Sequence, residues 1–190
     1  MKDRGVALAG NNMKLIHIVG RQNHGKTSLI VDLVEEFVRR GIAVGTIKHS
    51  GHAHELDTPG KDSYRHRQAG AAPAAAIASE MIGVWIPRPA AADPYAILAP
   101  MFSACRLILV EGHVDSPGVK IEVWREAVGG AFLAETERDI QAIITDDAIE
   151  TRLPVWPRQD IPRLARNLLN LVETLPDQTI DPATNSVKSE

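Results

Sequence analysis

Gly20-Arg-Gln-Asn-His-Gly25-Lys26-Thr27 is the stretch of this chain whose residue types and spacing can do chemistry. It fits G-x-x-x-x-G-K-[ST], the pattern of a loop that wraps its backbone around phosphate. Gly20 and Gly25 permit left-handed backbone angles, so successive N–H groups can turn inward on one anion. Lys26 reaches the β- and γ-phosphates as a point charge, and Thr27 offers a hydroxyl to Mg²⁺. Arg21, Gln22, Asn23, His24 and Ser28 complete the expected nucleotide-binding segment. The residue types therefore predict a nucleotide binder.

A carboxylate is the second requirement of such chemistry. Glu111 follows the apolar run 107–110, where an acid at a strand end sits near Mg²⁺ or an attacking water. Lys26 and Glu111 are thus the expected catalytic pair, with Thr27, Asp57 and Glu111 as metal ligands. Gly112, behind Glu111, allows close approach of a γ-phosphate to its N–H. Asp57 and Asp62 offer oxygens of the kind Mg²⁺ takes, and either can instead cap a short helix. Asp146 can accept the guanine N1 and N2 hydrogens with its two oxygens, or serve as a turn residue. His24, His49, His52, His54 and His113 fall in loops at the same expected edge. His49, His52 and His54 with Asp57 have the donors of a transition-metal site, although loop histidines also serve as phosphate donors or stand solvated. His17 and His66 read as structural or surface residues.

These groups need elements to position them. Residues 15–19 form an apolar strand, and 27–40 carry an apolar stripe of helical period whose positive end faces the same anion. Further strands are expected at 42–48, 74–78, 82–86, 107–110, 120–125 and 140–145. Helices are expected at 61–69, 94–104 and 161–174. Strands alternating with helices predict an α/β, three-layer fold, a mainly parallel sheet with helices on both faces. In such a sheet ligands gather beyond the carboxyl ends of the strands, where the phosphate loop and residues 48–63, 111–113 and 146–147 should converge. The alternation in 120–125 suggests a half-exposed strand able to pair across a dimer by edge addition. Residues 1–12 read as a loose extension, 13–175 as one nucleotide-binding domain and 176–190 as a disordered tail. Met13, immediately before the first strand, is expected as an alternative start.

Composition narrows the function classes. The net charge of −3 argues against a broad nucleic-acid footprint, and Cys105, the single cysteine, leaves no internal disulfide. No apolar run approaches a membrane span and no secretory signal is evident, so the expected location is cytoplasmic.

Thr46-Ile-Lys-His-Ser-Gly-His52, then Asp57-Thr-Pro-Gly-Lys-Asp-Ser-Tyr64 and Arg67-Gln-Ala-Gly-Ala71, resemble the molybdopterin-guanine dinucleotide biosynthesis protein B family, MobB. The Leu109-Val-Glu-Gly112 and Lys120-Ile-Glu-Val123 segments resemble its later blocks, so the likeness runs from about Lys14 to Asp147. It implies a P-loop NTPase-like fold that binds Mg²⁺ and GTP, hydrolyses GTP weakly and forms a homodimer. It further implies an accessory that assists the molybdenum-cofactor guanylyltransferase and handles molybdopterin or its guanine dinucleotide, with no nucleic-acid or membrane partner. Gly20, Gly25, Lys26, Thr27 and Ser28 would form the nucleotide site, surrounded by Asp57, Gly60, Lys61, Asp62, Ser63 and Glu111. His113-Val114 stands where many relatives carry an aromatic residue and a lysine, and no Asn-Lys-x-Asp guanine motif is present. Two alternatives remain: a nickel-delivering metallocentre GTPase, and an inert module that recognises the diphosphate of a pterin dinucleotide. The second arginine that phosphoryl transfer favours is sought at Arg65, Arg67 or a second subunit.

Overall fold

Five-residue apolar runs that cannot face water on either side must sit inside a sheet, and here they do. In the computed structural model, which describes residues 13–51 and 55–174, the chain groups into two compact units. The first comprises residues 13–50 and 98–174 and the second residues 51–97, of which 51 and 55–97 are described. The expected extension 1–12, the tail 176–190, His52 and His54 lie outside the described residues.

The first unit is built on β1 (Leu15–Val19), β2 (Val44–Lys48), β5 (Leu107–Glu111), β6 (Lys120–Val123), β7 (Ile140–Ile144) and β8 (Val155–Trp156). All pairings are parallel, in the order β2-β5-β1-β6-β7-β8, which bears out the expected parallel α/β sheet. Helices α1 (Lys26–Arg39) and α4 (Ile161–Thr174) lie against one face. Leu29, Leu33 and Phe37 of α1 meet Leu164, Leu168 and Val172 of α4 over Ile16, Ile18, Leu109 and Ile121. Each such side chain, fully buried, is worth about 1.5–3 kcal/mol relative to exposure. Polar ties set the helix pair in place: Arg158 Nη2 donates to Asp32 Oδ2 at 2.6 Å and Arg40 Nη2 to the Pro162 carbonyl at 2.9 Å. On the opposite face Phe102, in a 3₁₀ turn at Ala99–Phe102, packs over Gly45.

The second unit holds α2 (Asp62–Gln68), the hairpin β3 (Ala74–Ile77) and β4 (Ile82–Trp85), and all of α3 (Pro94–Leu98) but its last residue. The two strands form their own antiparallel sheet, Ala74 opposite Trp85 and Ile77 opposite Ile82, apart from the six-stranded one.

One expectation is overturned. The strand beginning at Lys120 is neither half-exposed nor an edge: β6 lies between β1 and β7, and all four of its residues are buried. Its alternation misleads because its polar side chains are buried yet each has a partner. Lys120 Nζ donates to Asp139 Oδ2 at 3.1 Å, and the Glu122 carboxylate accepts the N–H groups of Leu133 and Ala134 at 2.7 and 3.0 Å. Edge pairing through this strand is therefore ruled out.

Candidate functional site

The loop after β1 has the backbone that its residue types require. Gly20, Asn23 and Gly25 have φ values of 145°, 69° and 90°. A Cβ on Gly20 would lie 2.5 Å from the Val123 carbonyl oxygen, so the position is closed to a side chain on two counts. Helix α1 then starts at Lys26 with no side-chain cap and no acid in its first turn, which leaves its first N–H groups and positive dipole end open to an anion. Ser28 does not cap it either, since its hydroxyl donates back to the Gly25 carbonyl at 3.0 Å.

Lys26 folds across the loop, its Nζ donating to the carbonyls of Gly20 and Arg21 at 2.8 and 2.7 Å. Burial lowers its pKa, with Lys48 acting the same way and Glu111 opposing. Thr27 Oγ1 donates to Glu111 Oε1 at 2.8 Å, and Lys48 Nζ stands 3.4 Å from the same oxygen. The register explains the meeting: Glu111 lies opposite Ile18 of β1 and Lys48 of β2. A hydroxyl and a carboxylate side by side at the start of α1 are hard oxygen donors suited to Mg²⁺. Lys26, the open N–H groups and this pair thus fit a Mg²⁺-nucleotide. Beside them a cavity of about 350 Å³ opens between α1 and β2, lined by Thr27, Ile30, Val31, Val34, Lys48 and Glu111.

Other expected residues fall as follows. Arg21, Gln22 and Asn23 are exposed, whereas His24 is 1% exposed, its ring turned under the loop with Nδ1 accepting the Arg125 N–H at 2.9 Å. Gly112 has φ 82°, but its N–H donates to the Ile18 carbonyl at 2.9 Å and is engaged within the sheet. Asp146, after β7, is exposed and accepts the Gln159 N–H through Oδ1 at 3.1 Å, leaving its second oxygen to face ligand or solvent. His49 and His113, after β2 and β5, stack with centroids 3.8 Å apart.

Asp57, Lys61, Asp62 and Ser63 belong to the second unit. The Asp57 carboxylate accepts the Thr58 N–H at 2.8 Å, the Ser63 hydroxyl at 3.1 Å and Arg67 Nη1 at 3.4 Å. Arg67 also donates to Glu55 Oε1 at 2.8 Å, so this arginine is tied within its own unit. Asp62 is the first residue of α2, placing an acid at its positive end, and makes no side-chain cap bond there. Among the described residues, no group of three histidine, cysteine or acidic side chains is placed to hold a metal ion.

The sequence reading placed Lys48 at the ligand edge, in the run 48–63, without a role, and missed Arg125. Lys48 ends β2 as Glu111 ends β5, and Arg125 follows β6, so all three stand at the carboxyl edge of the sheet. Arg125 was hidden because the strand was expected to run through it, whereas β6 ends at Val123.

The family model for Molybdopterin guanine dinucleotide synthesis protein B matches residues 15–146. The chain belongs to the MobB family. A molybdopterin-guanine dinucleotide biosynthesis adapter protein of Haemophilus influenzae is 31% identical over 164 residues, covering 84% of this chain and 90% of that protein. An adapter protein of the same name from Escherichia coli is 33% identical, over 64% of this chain and 72% of its own. Among solved structures, Bacillus subtilis MobB superposes with a TM-score of 0.64 at 26% identity, covering 83% of this chain and 97% of that one. The MobB homologue of Bacillus stearothermophilus gives 0.62 at 26%, over 86% and 100%. The matched span holds the whole phosphate loop, Glu111 and the second unit, so the MobB likeness covers every residue of the candidate site.

Proposed function

We propose that this MobB-family chain binds Mg²⁺·GTP at the loop after β1, hydrolyses it slowly, and acts as an adapter to the guanylyltransferase that builds molybdopterin-guanine dinucleotide in the cytoplasm. The observation that carries the reading is the Thr27 hydroxyl on the Glu111 carboxylate at 2.8 Å, beside a loop whose lysine is held by its own carbonyls. When bound, Mg²⁺ would be held by Thr27 and Glu111 and would neutralise phosphate charge. Lys26 would exchange its carbonyl contacts for phosphate oxygens, and Glu111 would orient a water. Asp146 is the candidate acceptor for the guanine hydrogens. A transition-state cation and a closed site are what raise phosphoryl transfer above a slow basal rate, and a partner protein is one source of them. The names of the relatives support the adapter role, since they are called adapters in molybdopterin-guanine dinucleotide biosynthesis.

A homodimer is part of this reading. With β6 internal, the surface that suits a second copy is the hairpin of the second unit, where Ile77, Met81 and Ile82 are 80%, 73% and 69% exposed. Two strands alone are marginal in water, and pairing with a second hairpin would bury their apolar face. Sedimentation equilibrium of the protein and of Ile82→Lys reads this directly, with a dimer expected for the first and a monomer for the second.

The decisive experiment is calorimetric titration of GTP, ATP and GDP with Mg²⁺ into the protein and into Lys26→Ala. GTP should bind at least about tenfold tighter than ATP, a difference of about 1.4 kcal/mol, and the substitution should remove binding. Equal affinities would take away the guanine-specific reading, and no binding at all would overturn the nucleotide site.

A further inference from the structure

Strands β1 and β6 are sheet neighbours, so the loops leaving their carboxyl ends emerge side by side. The second of these, residues 124–135, is fastened to the phosphate loop by two hydrogen bonds and braced by contacts of its own. Arg125 donates its backbone N–H to His24 Nδ1 at 2.9 Å, and Arg21 Nε donates to the Ala131 carbonyl at 3.1 Å. Trp124 Nε1 donates to the Gly130 carbonyl at 3.1 Å, and the Trp124 and Phe132 rings lie 4.9 Å apart. Glu122 holds the far end through the Leu133 and Ala134 amides. His24 can accept at Nδ1 only as a neutral imidazole, and burial, with Lys26 nearby, lowers its pKa in the direction of that form.

This fastening places one side chain with care. A Cβ built on Gly25 would lie 2.7 Å from Arg125 Nη2, 2.9 Å from Cζ and 3.2 Å from Nε, so the guanidinium rests on the residue just before Lys26. Gly25 is required by its φ of 90°, and the guanidinium rests in the space that a Cβ would take. Arg125 is exposed, and among the described residues its guanidinium forms no ion pair. Among the described arginines Arg39, Arg40, Arg67, Arg106 and Arg158 sit on carboxylates, and the others, Arg125 among them, do not. A cation packed on an anion-binding loop without a carboxylate of its own is complementary to an anionic ligand, and a planar guanidinium suits phosphate oxygens.

We propose that Arg125 is a phosphate-contacting residue of the nucleotide site, the second cation beside Lys26, supplied by the chain itself from the loop after β6. The inference rests on the nucleotide reading given above. It assigns the arginine expected at Arg65, Arg67 or a second subunit to a position in the first unit. It also gives His24 a positioning role, since its ring fixes the backbone from which Arg125 projects.

Calorimetry with Mg²⁺·GTP and Mg²⁺·GDP on the protein, Arg125→Ala, Arg125→Lys, Arg125→Gln and Lys26→Ala tests it. Loss of a charged contact of this kind should weaken both nucleotides by about 10- to 100-fold in Arg125→Ala. The lysine variant should recover at least about fivefold over the glutamine variant, because it restores the positive charge although not the guanidinium fork. The melting temperature without nucleotide should match that of the parent. If Arg125→Ala does not fold, the lysine and glutamine pair decides alone, and equal affinities in that pair would overturn the proposal. If Arg125→Ala binds within twofold of the parent while Lys26→Ala does not bind, Arg125 is a bystander and the nucleotide reading stands. If the parent protein binds neither nucleotide, both fall together.

Discussion

His17 occupies the middle of β1 with no exposure, and its Nδ1 lies 3.4 Å from the Gly112 carbonyl. Burial is the main cause that pushes its pKa down from 6.5 to about 4, against the raising effect of that carbonyl, with His113, Lys120 and His49 adding repulsion. The sign follows from comparing proton uptake. Between pH 6.5 and 4 the unfolded chain protonates this histidine and the folded chain does not, so stability falls as the pH drops and is level above it. The whole window is worth about 3 kcal/mol at about 1.4 kcal/mol per unit. Urea midpoints from pH 7 to 4 should therefore fall more steeply for the protein than for His17→Gln, and parallel curves would refute the assignment. At this scale the phosphate loop and Glu111 were legible, because type and spacing alone dictate what they can do. Arg125 was not, since its contact with Gly25 depends on where β6 ends and how the next loop returns. The engagement of the Asp57 carboxylate by Thr58, Ser63 and Arg67 was equally hidden, because only the folded chain places those donors around it.

Elements read from periodicity succeed where one face is apolar, and β6 shows what defeats the method. Long, strongly patterned segments such as α1, α4 and β1 appear within a residue or two of their expected bounds. In β6 lysine and glutamate alternate with isoleucine and valine, yet both polar side chains are interior and satisfied. Strand β8 was missed because two residues carry no period. The buried Glu122 makes a prediction of its own. Burial raises its pKa, and the Leu133 and Ala134 amides that it accepts hold the charged form against that cost. Glu122→Ala removes the acceptor for both amides and should cost about 1–3 kcal/mol. Glu122→Gln keeps one oxygen and should cost less. Because the same carboxylate anchors the loop that carries Arg125, the alanine variant should also weaken Mg²⁺·GTP binding and shift Trp124 fluorescence. Unchanged stability in denaturant melts would show that the loop is held by other contacts.

Over the whole molecule, the expected single span 13–175 divides into two compact units, and the MobB match crosses both. Alanine is what marks that division in a linear reading, since residues 51–97 hold 12 of the chain's 24 alanines. The phosphate loop, Lys48, Glu111 and Arg125 all belong to the first unit, while the Asp57 and Lys61–Ser63 expectations belong to the second. Hydrogen exchange separates the two without any assumption about their arrangement. A ligand that binds only the folded state at about one hundred times its Kd stabilises what it touches by about 2.7 kcal/mol. Saturating Mg²⁺·GTP should therefore slow exchange about 100-fold in amides of residues 20–28 that open only when nucleotide leaves, and to a lesser extent in 111–113 and 125–135. Peptides covering 57–63 report on the second unit by themselves. Slowing there is the expected result if its lysine, aspartate and serine take part in binding, and unchanged exchange there with slowing at 20–28 would restrict the site to the first unit. Lys26→Ala should show no slowing in either unit, which ties any protection seen to nucleotide held by the loop after β1.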